Sequence, residues 1–283
     1  MKVFNRMGVG LAALMMTVLW TGCDDDNTGT DADNKKLVRV QAVSTTDIDG
    51  EPFTISNNYV YTYNADGTLA SWELDMDSDD SESLENGAYT WTANTIYENH
   101  QDGTSITYTL NDDNRIEQLA YASASGEDYL YTYAYDSAGR LTIANIDSGI
   151  MSYTYTDGVI TSATYQSTDA TDNYPLQYTW TYGTQTCRGY NPACLICNLT
   201  GTLFLSDVHI FNACPELVNL RSNRMPTELV VTTTDTDNSF AVNNTCSQTF
   251  DYVLDDDGYV EQVIICQKFI DFTFDITYTF TWE

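Results

Sequence analysis

The feature that most constrains this sequence is a short unit of two strands and a tight acidic turn, which recurs along the chain. In its clearest copy, residues 130–146, tyrosines occupy alternate positions, as at Tyr131 and Tyr133. Alternation with a period of two, in a run rich in Tyr and Thr, is typical of a strand with two different faces. The turn begins with Asp136 and ends with Gly139, a residue that can adopt positive φ. Residues 130–146 are therefore predicted to form one β-hairpin.

Further copies of this unit account for most of the chain. An aromatic strand, an Asp- or Asn-rich turn and an apolar return strand recur at residues 59–69, 108–116, 153–160 and 252–260, and aromatic strands recur at 178–182 and 278–282. Helical periodicity is weak everywhere and is best at residues 215–221. These copies predict an all-β protein, an antiparallel meander of repeated hairpins that forms a large open or closed barrel-like sheet.

The first 22 residues have the pattern of an export signal. Lys2 and Arg6 give it a basic start, and the uncharged apolar stretch that follows is too short to span a membrane as a helix. Small residues then precede Cys23, which resembles the bacterial lipoprotein cleavage motif, although Trp20 stands where that motif prefers Leu. Residues 1–22 are therefore predicted to be a lipoprotein signal peptide and Cys23 to be the lipidated residue. The alternative is an ordinary secretory signal followed by a free cysteine.

Residues 23–36 are predicted to form an acidic, flexible tether, because they begin with aspartates and lack apolar periodicity. An acidic run after the lipid cysteine resembles the surface-export signal of Bacteroidetes lipoproteins, and a solvated linker is the simpler alternative. The chain has 41 acidic against 11 basic residues and a formal net charge of -30. Such a chain repels nucleic acid. We expect an outer-membrane protein that is anchored by its lipid and exposed at the cell surface.

The rest of the chain, residues 37–283, is long enough for one large β domain, and we predict a single domain. The rhythm of hairpins is interrupted at about residues 184–226, a stretch that contains four cysteines. We interpret this stretch as a cysteine-rich insertion carried by the sheet.

Two family resemblances add to this interpretation. Residues 133–142, YAYDSAGRLT, closely resemble the YD repeat of secreted toxins and teneurins. Most of the mature chain resembles a Bacteroidetes surface-lipoprotein family of unassigned function, through its YTY strands and through residues 221–229 (RSNRMPTEL), 257–261 (DGYVE) and 276–280 (ITYTF). The second resemblance implies a porin-like, barrel-like fold and an outer-membrane location, and it implies no catalytic residue.

The tyrosines have two explanations. The aromatic face is the natural inner face of the sheet and the Thr-rich face the natural outer face, so a packed core is the simpler account. However, the chain has 21 Tyr against 10 Phe, and each buried hydroxyl needs a partner, which favours a partly hydrated lumen. Aromatic platforms with one wet edge suit sugars and other amphipathic ligands. The candidate ligand-binding residues are Tyr131, Tyr133, Tyr153, Tyr155, Tyr178 and Trp180.

Besides Cys23 there are six cysteines, an even number that is typical of disulfides in an exported protein. Cys246 and Cys266 are nearly equidistant from the turn centred on residues 256–257. They are therefore predicted to form a bridge across that hairpin. For the other four, two disulfides are preferred over a zinc site or a CxxC redox centre. These four are Cys187, Cys194, Cys197 and Cys214.

Few residues have a pattern typical of metal binding or catalysis. Asp75, Asp77 and Asp79 have the alternating spacing of a calcium loop, but the Gly and Glu that such a loop needs at later positions are missing. A solvated acidic loop is the simpler explanation. His100 and His209 are interpreted as structural, and the sequence contains no GxSxG, HExxH or phosphate-binding loop. We therefore predict no enzyme, no cofactor and no metal centre.

The expected function is that of a non-catalytic surface protein that binds an extracellular glycan or peptide, or that assists an outer-membrane complex such as a nutrient importer. The alternatives are a structural or adhesive protein without a pocket and a carboxylate-dependent hydrolase. A large aromatic concavity favours the first function, a filled barrel the second, and two converging carboxylates with raised pKa the third. A membrane-spanning barrel fits less well, because the face opposite the aromatics is rich in Thr, Ala and Ser.

Overall fold

The computed structural model describes the chain from residue 35 onward, with gaps. The described ranges are 35–48, 51–78, 81–126, 128–146, 149–168, 175–191, 209–220, 222–233, 246–268 and 273–283. The predicted signal peptide 1–22, the lipidation site Cys23 and the tether up to residue 34 lie outside these ranges, as do Asp79, Cys194 and Cys197.

Antiparallel strands in sequence order form one closed barrel of 16 strands, in which β1 pairs with β16. The predicted all-β meander is confirmed, and closure of the barrel leaves no free sheet edge. The strands are β1 Leu37–Ile48, β2 Glu51–Tyr63, β3 Leu69–Ser78, β4 Ser81–Trp91, β5 Thr95–His100, β6 Ser105–Leu110, β7 Ile116–Ala122, β8 Asp128–Tyr135, β9 Leu141–Ile146, β10 Gly149–Thr156, β11 Val159–Ser167, β12 Leu176–Thr186, β13 Arg224–Thr233, β14 Cys246–Leu254, β15 Val260–Lys268 and β16 Thr273–Trp282.

Three of the tight turns in the repeated hairpins share one hydrogen-bonding pattern. After β8, Asp136 Oδ1 accepts hydrogen bonds from the backbone N–H groups two and four residues later, both at 2.9 Å. The first residues of the turns 111–114 and 255–258 accept the same two bonds. The fourth position has positive φ, 75° at Gly139, a conformation that Gly adopts without strain. The predicted turn chemistry is therefore confirmed.

These turns lie at one end of the barrel, which we call the turn end; the opposite end, with the loops 101–104 and 123–126, is the far end. At the turn end, Tyr155 Oη donates to the carbonyl oxygen of Leu141 at 2.8 Å, and Arg140 lies over its ring at 5.0 Å. The other strand-ending aromatics that donate to a neighbouring carbonyl in this way are Tyr63, Trp91, Tyr135 and Trp282. Backbone carbonyls, rather than water in a lumen, satisfy these hydroxyl and indole groups.

The aromatic face is the inner face of the barrel, as predicted. On β6, Tyr108 is buried, whereas its neighbours in sequence are only partly buried and lie on the other face. The register continues the inner face across the sheet, because Tyr108 pairs with Leu119 of β7 and Leu119 with Tyr131 of β8.

The stretch at about 184–226 was predicted to be an insertion carried by the sheet, and its described part runs into the barrel interior. Phe211 is fully buried and packs edge-on against the rings of Tyr108 and Tyr133, two inner-face tyrosines.

Among the described residues, no helix is both long and apolar enough to cross a membrane. The helices in the described part of residues 184–226 are α1, His209–Ala213, and a 3₁₀ helix, Pro215–Leu217.

The predicted bridge between Cys246 and Cys266 is wrong. Cys266 is a free cysteine. On β15 it pairs with Thr249 of β14, which is three residues after Cys246 on that strand. Equal distance from residue 256 did not give the register, because Asp255 pairs with Tyr259 at the turn and a bulge next to Leu254 shifts the two strands by one further position.

The two disulfides predicted for the insertion are likewise not found in the described part of the chain. Cys187 and Cys214 are both buried free cysteines. Burial raises the pKa of both thiols, so they are inert packing groups at neutral pH.

The weak calcium candidates Asp75 and Asp77 were interpreted as part of a solvated acidic loop, and a loop at these two residues is wrong. Asp75 and Asp77 are exposed on the extended strand β3. An extended strand cannot wrap around an ion as a calcium loop does. Within the described ranges, no group of three His, Cys, Asp or Glu side chains is placed to hold a metal ion.

Candidate functional site

A cavity of about 780 Å³ lies at the far end of the barrel, between β4 and β8. We call it the far-end cavity. Its aromatic wall comes from β7 and β8, and its acidic lip from the exposed residues at the start of β4 and in the β5–β6 loop. The residues that carry the argument below are Tyr121, Tyr129 and Tyr131 in the wall, Glu85 and Asp102 at the lip, and His100 and His209 deeper inside.

Local sequence positions several of these groups. Tyr129 and Tyr131 share the inner face of β8 because they alternate along it, and Tyr129 contacts Tyr121 of β7 with ring centroids 5.7 Å apart. In the β5–β6 loop, Asp102 accepts a hydrogen bond from the backbone N–H of Thr104 at 2.8 Å. That Asx turn holds the Asp102 carboxylate at the lip.

Below the cavity, the fully buried carboxylate of Glu98 joins side chains of three neighbouring strands. Trp72 Nε1 donates to Glu98 Oε1 at 2.6 Å, and the Tyr108 hydroxyl donates to Glu98 Oε2. His100 Nε2 lies 3.0 Å from Glu98 Oε1 as an ion pair. A buried charge is tolerated only when it is paired and hydrogen-bonded in this way.

The protonation states of this pair follow from their contacts. Burial by itself raises the pKa of Glu98, but the contacts with His100, Tyr108 and Trp72 outweigh it and hold that pKa below its ordinary value. Burial by itself lowers the pKa of His100, but Glu98, with help from Asp102, raises it above its ordinary value. The contacts therefore favour the carboxylate form of Glu98 and the imidazolium form of His100.

His209 of α1 behaves differently from His100. Its ring stacks on the indole of Trp72, with centroids 3.6 Å apart, and it has no carboxylate partner of its own within the described ranges. Burial lowers its pKa to about 4. His209 is therefore neutral at physiological pH and contributes an uncharged imidazole to the far-end cavity.

This difference predicts how stability depends on pH. Below its ordinary pKa of 6.5, the unfolded chain takes up a proton on His209, whereas the folded barrel does so only near pH 4. The free energy of unfolding should therefore decrease as the pH falls from 6.5 to 4.5, by about 2 kcal/mol from this residue. Urea unfolding of the wild type and of His209→Phe, which keeps the ring stack, measures the effect.

The pH window isolates His209 from its neighbours. Because the pKa of His100 is raised, its contribution to the free energy of unfolding changes only above pH 6.5. Because the pKa of Glu98 is lowered, the contribution of Glu98 changes only below pH 4.5. The wild type should lose more stability across the window than the Phe variant. If the free energy of unfolding changed equally with pH in the two proteins, the pKa of His209 would be the same in the folded and the unfolded chain.

Of the six predicted ligand-binding residues, only Tyr131 lines the far-end cavity. Tyr133 and Tyr153 are buried in the core, and burial raises the pKa of both phenols. Tyr178 and Trp180 are also buried, and their rings stack on each other at 6.1 Å. The sixth residue, Tyr155, belongs to the turn-end contacts described above. All six are on the aromatic side of the sheet, but most of them serve packing.

Sequence reasoning missed Glu98, which is one of 41 acidic residues. A signal was present in β5, TIYENH, where Ile96, Glu98 and His100 occupy alternate positions. A carboxylate on the same face as an apolar residue, followed two positions later by a histidine, indicates an inward-facing pair.

The geometry of this region suits binding better than reaction. Glu98 is the single buried carboxylate among the described residues, and its three contacts and lowered pKa make it a poor general acid. The far-end cavity offers ring faces, imidazole edges and exposed carboxylates. These groups can hold an amphipathic ligand by stacking and by charge.

Solved structures from Bacteroides share this fold. A porin-like protein from Bacteroides uniformis has a TM-score of 0.62 and 17% identity, covering 87% of this chain and 96% of its own. A porin-like protein from Bacteroides vulgatus has a TM-score of 0.55 and 11% identity, covering 88% of this chain and 99% of its own. No protein-family model and no curated protein matches the sequence. The lipoprotein-family and YD-repeat resemblances stay predictions, and the chain has the porin-like barrel fold.

Proposed function

We propose that this protein is a non-catalytic, lipid-anchored barrel at the bacterial surface, which binds an extracellular ligand through the far-end cavity. The observation that carries the proposal is the tyrosine-walled cavity of about 780 Å³ at one end of the barrel. Ligand sites commonly measure about 300–1,000 Å³ and combine apolar walls with a few polar groups.

The outer face supports a barrel that stands outside the membrane. A barrel that spans a bilayer needs an apolar outer band about 25 Å tall. Here the outer face of β6 carries Ser105, Thr107 and Thr109, and that of β16 carries Thr277 and Thr279. Such a surface suits water, so a separate lipid at Cys23 is the proposed attachment to the membrane.

The point where the chain enters the barrel is compatible with this attachment. The backbone of Lys36 pairs with that of Glu283, and the Lys36 ammonium donates to the carbonyl oxygen of Gly67 at 2.9 Å, both at the turn end. The proposed tether therefore joins the barrel at the end opposite the cavity. In the proposed arrangement, a ligand or an outer-membrane importer approaches the barrel from the far end.

The hydrolase alternative has less support. It requires two converging carboxylates with raised pKa, whereas Glu98 is buried without a second carboxylate among the described residues and has a lowered pKa. The purely adhesive alternative requires a filled barrel, and the far-end cavity leaves one end incompletely filled.

Equilibrium binding to a panel of oligosaccharides and short peptides tests the proposal. We expect at least one class to bind the wild type, and Tyr131→Ala to weaken that binding about tenfold, because a ring face contributes roughly 1–3 kcal/mol to such contacts. Tyr97→Ala, which removes an exposed ring from the outer face of β5, is the matched control and should bind normally.

Two results would count against the proposal. Absence of binding across the panel would leave the structural, adhesive function as the better one. An unmodified Cys23 in the mature protein, seen by mass spectrometry of the native form, would remove the lipid anchor.

A further inference from the structure

Basic side chains are concentrated at one end of the barrel. The described residues include eight Lys or Arg, and seven of them lie at or near the turn end. These seven are Lys35, Lys36, Arg39, Arg115, Arg140, Arg188 and Arg224. The eighth, Lys268, ends β15 at the far end, on the side of the barrel away from β4–β8.

At the turn end, the acidic turns are matched by these cations. Lys35 Nζ lies 2.6 Å from Asp257 and 3.3 Å from Asp255. The other two pairs at this end are Arg115 with Asp113, at 3.0 Å, and Arg140 with Asp136, at 2.7 Å. Much of the negative charge of the turn end is therefore locally compensated.

At the far-end cavity, the carboxylates lack such compensation. Glu85 and Asp102 line the cavity, and no Lys or Arg is among its lining residues. His100 also lines the cavity and interacts with both carboxylates, but it is already paired with the buried Glu98, and His209 is neutral. The cavity therefore combines a negative lip with a tyrosine wall, in a chain whose formal charge is -30.

We propose that the far-end cavity binds a lysine- or arginine-bearing segment of an extracellular peptide, with the cationic group between Glu85 and Asp102 and its alkyl stem against Tyr121 and Tyr131. This rests on the proposed function and specifies its ligand. Ring faces attract cations as well as apolar groups. A neutral sugar can only donate hydrogen bonds to the lip carboxylates, whereas a cationic group also gains their charge, and an acidic glycan is repelled by them.

Three acetylated and amidated pentapeptides, with a central lysine, glutamine or glutamate between two tyrosines, test the proposal by calorimetry. We expect the lysine peptide to bind about tenfold more tightly than the glutamine peptide, and the glutamate peptide to bind more weakly still. Raising the salt concentration should weaken the lysine peptide only, because exposed charge pairs are screened.

Single substitutions test whether the lip carboxylates cause the tighter binding of the lysine peptide. Glu85→Gln and Asp102→Asn should each weaken the lysine peptide roughly threefold and leave the glutamine peptide unchanged. Matched controls with the same charge change at the turn end, Glu117→Gln and Asp112→Asn, should bind like the wild type. Thermal unfolding of each variant checks that the barrel is intact.

The possible results separate this inference from the proposed function. Equal affinity for the three peptides would overturn the cation preference and leave ligand binding in place. No binding of any peptide, together with no binding of sugars, would overturn both. Equal losses in the control variants would show that overall charge, and not the far-end cavity, attracts the lysine peptide, and would also overturn the inference.

Discussion

Replacing Glu98 with Ala should destabilise the barrel by about 3 to 5 kcal/mol, since removing one partner of a buried ion pair leaves the other charge uncompensated. The substitution removes the acceptor for Trp72 Nε1 and for the Tyr108 hydroxyl, and it leaves the His100 imidazolium without its counter-ion. Urea unfolding, followed by far-UV circular dichroism, gives the change in free energy.

A matched control separates this effect from the general loss of a carboxylate. Glu117→Ala on the exposed face of β7 should change the free energy of unfolding by less than about 0.5 kcal/mol. Glu98→Gln should lie between these values, and the pKa of its His100 should fall, because burial still lowers it and the contact with the Glu98 carboxylate, the main cause that raises it, is lost. A Glu98→Ala protein as stable as the wild type would show that the network contributes no net stability.

Gly87→Ala should also destabilise the barrel strongly, by about 2 to 4 kcal/mol. Gly87 lies opposite Trp72 and His100 on neighbouring strands. An added Cβ would lie 2.9 Å from Trp72 Cε2 and 3.0 Å from Glu98 Oε1. The indole must move to relieve this contact, which adds overpacking strain of about 1–3 kcal/mol and the loss of its hydrogen bond to Glu98, about 1–3 kcal/mol.

Thermal unfolding and tryptophan fluorescence measure the effect of Gly87→Ala, because a displaced Trp72 changes its emission. Gly183→Ala in β12 is the matched control. Its added Cβ would lie 3.2 Å from the Cγ2 of Thr227 and 3.9 Å from the backbone N of Gln185, so a small loss of stability is expected. If the two variants were equally stable, Trp72 would have room to shift without cost, and the Glu98 network would be less rigid than its geometry indicates.

Local sequence predicted the hairpins well because their determinants are local. The Asp136 turn is specified by hydrogen bonds within five residues and by one positive φ at Gly139. The inner face of each strand follows from side chains that alternate every second position, as on β8. Neither feature depends on what the strand packs against.

The roles of individual tyrosines were not predictable in the same way. Tyr131 and Tyr133 are two residues apart on one face of β8, yet Tyr131 lines the cavity and Tyr133 packs against Phe211. The difference arises because Phe211 of α1, some 80 residues later in the chain, packs against Tyr133, whereas Tyr131 lies nearer the far end, where the cavity is.

The sequence by itself determined an all-β chain of hairpins with an aromatic inner face, because turn chemistry and alternation act within a few residues. Only the tertiary structure decided that β1 closes on β16, that Cys266 faces Thr249, and that Glu98 and His100 are buried as a pair. These outcomes depend on the register between strands and on where α1 packs, and both depend on contacts between residues far apart in the chain.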